Sequence, residues 1–462
     1  MSSHIFDLAV TGNILFGEQW IEGGTLLVDG GRIAGITDSP VHFQTKNHLH
    51  AHGKWVLPGV VDGHVHSLSY PGEGFFHSTR SAAAGGVTTI IDMPVDAPSG
   101  TATPETLKIK IAKAEGESFV DFALAGVVKN ETLHHIHELK KAGVCGFKLS
   151  LFHTEANRFP RIDDGHLFEA FSAIRETGLT AGVHAENDEL IKFLIEKYVR
   201  EGKTHPRAHC ESRPEVSETE SVLKALEFAR ATGVRLHLYH ISCSRSIELA
   251  AFFKKEGVSV TSETCPHYLL FSEEDMDRFG GILRINPPVR KRPEPDRLWK
   301  QLSRGEIDCV GSDHIPWPEE WKRRSTIFEC ASGIPGIETL LPLLFSEGVV
   351  KRRLSLLALS KVLSENPAKI FKLYPRKGSL SIGGDADIII LDPEKKWIIR
   401  QDQMHTTAKW TPYDGLEISG SVETTIVRGR VVYHEGQIVG EKGYGMFIRP
   451  SGPTLSLFEQ ES

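Results

Sequence analysis

The stretch GVVDGHVHSLSYPGEG (59–74) sets His64 and His66 one residue apart. In an extended strand, residues i and i+2 point to the same face. Two imidazoles would then project together, a natural start for a divalent metal site. Spacing alone does not make one. NHLHAHG puts His48, His50 and His52 on one strand face, and HHIHEL groups His134, His135 and His137 on a helix. Neither cluster has carboxylates or further histidines at matching positions elsewhere, so both read as surface residues.

The pair at 64 and 66 differs because other apolar runs end the same way. His184 closes a run in GVHAEN, His240 in YHIS and Asp313 in GSDH. A carboxylate at the top of a buried strand carries a large desolvation cost unless it has a partner. A cation among histidines would be that partner. Lys148, in GFKLS, closes a fourth run. Its ammonium, with an ordinary pKa of about 10.4, repels a metal. As a carbamate formed with carbon dioxide it would be anionic and able to bridge two ions. A salt bridge between Lys148 and Asp313 is the other reading, and spacing leaves both open.

Eight apolar runs carry these residues: 60–66, 87–94, 120–128, 145–151, 179–185, 235–242, 258–265 and 307–313. They have the texture of buried parallel strands. Helix-like segments such as PETLKIKIAKAEG, HHIHELKKAG and SVLKALEFARATG separate most of them, the last two ending in Gly. Eight strands with intervening helices predict an α/β fold, a (β/α)8 TIM barrel, over a six-stranded doubly wound sheet. Barrel active sites form at the C-terminal strand ends, where the residues above stand.

Both ends of the chain are different, with short strands broken by glycines. Residues 1–55 and 374–445 are expected to meet as one small β-sandwich domain beside a barrel at 56–373, with 446–462 as a C-terminal tail. The 462 residues exceed a usual single domain. A net charge of -7 and the lack of any basic run argue against nucleic acid or an anionic membrane as partner. No stretch approaches the roughly 18 apolar residues of a membrane span, and the N-terminus lacks the pattern of a secretory signal. Six scattered cysteines without a CxxC pair read as reduced thiols, so a cytoplasmic location is expected.

The set His64-x-His66, Lys148, His184, His240 and Asp313 resembles the cyclic amidohydrolases of the amidohydrolase superfamily, which include hydantoinase, allantoinase, dihydropyrimidinase and dihydroorotase. LPGVVDGHVH, AAAGGVTTIIDMP, ETCPHYL, NPPVR, NPAKIF and KGSLSIGGDADIIILD extend the resemblance over nearly the whole chain. It implies a barrel plus sandwich, a binuclear centre of two divalent ions and often a homotetramer, with a dimer as the other oligomer. Zinc is the default ion for histidine-rich sites, with manganese, cobalt and iron fitting similar ligands. By position, His64, His66 and Asp313 would hold one ion and His184 and His240 the other, with N6-carboxylysine at Lys148 as the bridge. A metal-bridging hydroxide would attack a ring amide, with Asp313 as general base and then acid.

The motifs also separate the members. Dihydroorotase resembles HVHLR, whose arginine holds a carboxylate; HVHSLSYPGEG has none there. Dihydropyrimidinases and many D-hydantoinases carry an oxyanion-stabilising tyrosine where this chain has His153, which either donates a hydrogen bond to the substrate in its place or is a solvent-facing loop residue. FPRIDDGHLFEAF and SRPEVSETESV resemble allantoinase, whereas YPRKGSLSIGGDAD and GYGMFIRP resemble L-hydantoinase. The expectation is ring opening of a hydantoin-type cyclic amide, with allantoin to allantoate as the alternative. In relatives, loop backbone near the positions of Asn286 and Ser332 holds the ring amide. Dihydropyrimidinase, dihydroorotase, a non-catalytic scaffold relative and a one-metal deaminase rank lower.

Overall fold

A computed structural model describes residues 4–38, 42–352 and 354–451. The first three strands, β1 (Ile5–Phe16), β2 (Gln19–Asp29) and β3 (Arg32–Thr37), form a meander, and β4 (Gln44–Pro58) returns parallel to β1. After β4 the barrel begins. Its strands are β5 (Val60–Val65), β6 (Val87–Asp92), β7 (Asp121–Val127), β8 (Gly146–Ser150), β9 (Thr180–His184), β10 (Arg235–Leu238), β11 (Val260–Thr264) and β12 (Cys309–Val310). They pair in parallel and in chain order. Each of the eight apolar runs contains one of them. The ring closes where Val65 bridges His314 and the His66 N–H donates to the His314 carbonyl at 3.0 Å.

Every residue of β6, β7, β8 and β9 is buried. Helices cover one face and side chains fill the other, so these strands read as continuous apolar runs rather than alternating ones. The helix over Glu215–Thr232 ends at Gly233 and the helix over Ile136–Ala142 at Gly143, both left-handed (φ 72° and 110°). The segment HHIHEL is only partly α-helical: residues Asn130–His135 form a 3-10 turn before that helix.

The chain's two ends share one eight-stranded sheet. β13 (Ile388–Ile398), β14 (Glu417–Val427), β15 (Arg430–His434) and β16 (Gln437–Ile438) extend the N-terminal strands through β13, which pairs antiparallel with β4. A buried ion cluster ties sheet to barrel. Lys377 Nζ lies 2.6, 3.0 and 2.7 Å from carboxylate oxygens of Asp121, Asp385 and Asp387, and Arg428 Nε lies 3.0 Å from Asp121. Of the expected tail, residues 446–451 dock on the barrel. Phe447 bridges Phe122, and buried Ile448 donates its N–H to the Phe122 carbonyl. Residues 452–462 lie outside the described residues. No helix among the described residues is long and apolar enough to cross a membrane.

Candidate metal centre

The strand ends deliver the six expected ligands to one buried place. His64 lies on β5, with His66 just beyond it. Lys148 lies on β8, His184 ends β9, His240 follows β10 and Asp313 follows β12. None is more than 5% exposed. His240 and Asp313 sit at φ 41° and 45°, a left-handed conformation that costs a non-glycine residue on the order of 1 kcal/mol or more. Such strain persists only where the surroundings hold it, and here it aims both side chains into the same space.

Two groups of atoms face one another. In the first, Asp313 Oδ1 lies 3.2 Å from His64 Nε2 and 3.4 Å from His66 Nε2, and the two imidazole nitrogens are 3.3 Å apart. In the second, His184 Nδ1 lies 3.0 Å from His240 Nε2. Lys148 Nζ reaches into the first group, 2.7 Å from His64 Nε2 and 3.4 Å from His66 Nε2. No ion pair joins Lys148 to Asp313 among the described residues, so the salt-bridge reading of this lysine is not what the geometry shows.

Hydrogen bonds from behind fix which nitrogen faces inward. His64 Nδ1 lies 2.7 Å from Glu263 Oε1. Burial pushes the Glu263 carboxyl up, but His64 and His237 outweigh it and hold it at about 2. A carboxylate only accepts, so Nδ1 carries the proton and Nε2 presents its lone pair. Likewise His184 Nε2 lies 2.8 Å from Glu186 Oε2, which Arg213 Nη1 also contacts at 2.7 Å. This leaves His184 Nδ1 as the free lone pair. Burial holds His66 down to about 3 and His240 well below the usual imidazole range, so both are neutral.

The donors therefore fit divalent ions. His64, His66 and Asp313 converge as three acceptors within one ion's reach, and such a cluster is repulsive without a cation. Burial also lowers Lys148 to about 8, against the pull of Asp313 and Glu263. A substantial neutral fraction near pH 8 is the form able to react with carbon dioxide. Glu263, Glu186 and Arg213 were not among the expected site residues. Glu186 stands two residues after His184 in VHAEN, and Glu263 interrupts a buried strand in SETC; a carboxylate in such a run is the available sequence signal. Glu263 also belongs to a second buried group with His237 and Cys309.

A cavity opens over the centre. Its wall includes Asn286, Ser332 and Gly333. Asn286 Oδ1 is buried without a hydrogen-bond partner among the described residues. Thr154, Glu155, Arg158 and Phe159 line it from the loop after β8. His153 does not: its backbone N–H donates to Asp188 Oδ1 at 2.9 Å, and the residues after it face the cavity. An arginine does reach this cavity, but it is Arg158, its Nε 3.3 Å from Glu155. His48, His50 and His52 lie exposed on β4, with His48 and His50 ring centroids 3.9 Å apart.

A family model described as "Amidohydrolase family" matches residues 55–432. An allantoinase of Deinococcus radiodurans is 37% identical over 448 residues, covering 96% of this chain and 99% of the relative. An L-hydantoinase of Paenarthrobacter aurescens is 36% identical over 454 residues, covering 96% and 98%. The solved structure of an L-hydantoinase (dihydropyrimidinase) from Arthrobacter aurescens superposes with a TM-score of 0.93 at 35% identity, covering 96% of this chain and all of that one. With its strand order, its buried strand-end histidines, lysine and aspartate and these similarities, the chain belongs to the amidohydrolase family.

Proposed function

We propose that this protein hydrolyses a cyclic amide, opening a hydantoin-type five-membered ring, at a metal centre held by His64, His66, Lys148, His184, His240 and Asp313. One observation carries the reading. Four imidazole nitrogens, with lone pairs fixed by burial or by carboxylates behind them, converge with Asp313 and Lys148 under one cavity. Two divalent ions bound there, zinc by default, would activate water and polarise the amide carbonyl.

The chain's own groups do the rest. Asn286 Oδ1 is free to accept a ring N–H, and the Ser332–Gly333 loop faces it across the opening. Together they orient the ring. Asp313, fixed by its left-handed backbone, accepts the proton of the attacking water at a carboxylate oxygen. It returns that proton to the ring nitrogen as the carbon–nitrogen bond breaks. Burial raises the Asp313 carboxyl, but His64, His66 and His240 hold it well below the usual carboxylate range, so it begins ionised.

Allantoin is the second reading. The wall that would face a ring substituent carries Thr154, Glu155 and Arg158 beside Phe159, and polar groups there suit a ureido substituent. Glu155 compensates the Arg158 charge, which counts against a carboxylate-bearing ring such as dihydroorotate.

The test is a panel of allantoin, dihydrouracil, dihydroorotate and both enantiomers of 5-substituted hydantoins, with metal analysis of the purified protein. Ring opening of allantoin or a hydantoin, about two ions per chain, and its abolition in Asp313→Ala are expected. A metal-loaded protein that opens none of these rings, or Asp313→Ala with full activity, overturns the reading.

A further inference from the structure

The two loops that would hold the ring amide are fastened to each other by one buried ammonium group. Lys322 is 1% exposed. Its Nζ donates to the carbonyls of Arg284 at 2.8 Å, Ala331 at 2.7 Å and Gly333 at 2.8 Å. Arg284 stands two residues before Asn286, while Ala331 and Gly333 flank Ser332. The Gly333 N–H adds a direct bond between the loops, to the Arg284 carbonyl at 3.0 Å. A second anchor acts on the same loop: Trp317 Nε1 donates to the Ser332 carbonyl at 2.7 Å, and Trp410 Nε1 to the Trp317 carbonyl at 2.8 Å.

No carboxylate pairs with Lys322 among the described residues. Burial and the Arg284 guanidinium push its pKa down. Three carbonyls nevertheless use all three donors of the charged form, a geometry that a neutral amine would leave one donor short. A buried ammonium costs several kcal/mol in desolvation. A fold that needed only cohesion would do as well with an apolar side chain. What the ammonium adds is direction, because three short bonds set the distance between two strand-end loops.

We propose that Lys322 is a positioning residue which sets the spacing between Asn286 and Ser332 and thereby the fit of the substrate ring. This rests on the cyclic-amide reading. Its consequence is separable from the metal ligands, which Lys322 does not touch.

Lys322→Met removes the donors at nearly constant volume. Lys322→Arg keeps the charge, but its planar fork cannot aim at three carbonyls. In both, KM is expected to rise roughly tenfold with kcat changed much less, since uniform binding is what is lost. Metal content should stay at the wild-type value. Amide hydrogen exchange should quicken in 284–287 and 331–334 together. A fall in thermal stability with KM and loop exchange unchanged would overturn the proposal, as would failure of both variants to fold. If the wild-type protein opens no cyclic amide, the functional reading fails on its own. The paired exchange of the two loops then still decides whether Lys322 clamps them.

Discussion

Lys148 and Lys377 are both sealed from solvent, one at the barrel's strand ends and the other at the seam between barrel and end sheet. Lys377 has three aspartates within 3.0 Å. Burial would lower its pKa, but those carboxylates raise it above the usual lysine value. Lys148 has no carboxylate that close. It faces imidazole nitrogens instead, and burial wins. A buried charge with a full set of partners holds two layers together. A buried amine without them stores an unfavourable state, which pays only if the group is to be altered or to meet a ligand. The same residue type at the same burial thus marks a joint in one region and chemistry in the other.

Exchanging each lysine for methionine breaks that comparison if it is wrong. If Lys148 bridges two ions as proposed, Lys148→Met should cost on the order of 10³-fold or more in ring opening. With metal stripped from both proteins, its stability should equal or exceed wild type by about 1 kcal/mol. Lys377→Met should do the reverse. It strands three carboxylates in the seam at a cost of roughly 3–5 kcal/mol, while activity per folded molecule stays within about twofold. Denaturant melts with and without chelator, alongside initial rates, read both axes. A Lys148→Met protein as unstable as Lys377→Met would assign Lys148 to structure.

A smaller effect sharpens the picture around His64. Glu263→Gln replaces the obligate acceptor behind Nδ1 with an amide that can also donate, so the inward lone pair is no longer fixed. Metal affinity should fall about 10–100-fold, measured by competition against a chromophoric chelator. The protein should remain folded, since the amide keeps the carboxylate's shape. Unchanged affinity would show that burial alone sets the His64 tautomer.

The candidate ligand residues are easier to read in the sequence than those that support them. The eight barrel strands stood out because they are buried on both sides and therefore nearly unbroken in apolar residues. His64, His66, His184, His240 and Asp313 stood out because each follows such a run. Glu263 and Glu186 carry charges that, in a sequence, look like any solvated acid. Only the fold brings Glu263 of β11 behind His64 of β5, six strands apart along the chain and two apart across the ring's closure. Lys322 is the same case: nothing in EEWKRRS separates it from the surface lysines, because its three acceptors are backbone carbonyls from distant loops. In the loop after β8 the cavity is lined by Thr154 and Glu155 and not by the neighbouring His153, a difference of a single residue that sequence spacing does not resolve. The parallel return of β4 beside β1 was equally hidden, since both are alternating strands with no mark of their partner.

The smallest expected effect concerns the richer histidine cluster. β4 carries three histidines at the spacing of His64 and His66 at the end of β5, yet they are exposed and, among the described residues, no carboxylate pairs with them. Burial still lowers the pKa of His48, and the neighbouring His50 and His52 lower it further. Its Nε2 lies 2.8 Å from Thr11 Oγ1. The rings of His50 and His52 are exposed, so nothing offsets the entropy of holding them around an ion. Replacing His48, His50 and His52 together by glutamine should change stability by no more than about 0.5 kcal/mol and leave ring opening and metal content unaltered. Loss of an ion per chain in that variant would mean that strand spacing suffices without burial, and the distinction drawn between β4 and β5 would fall.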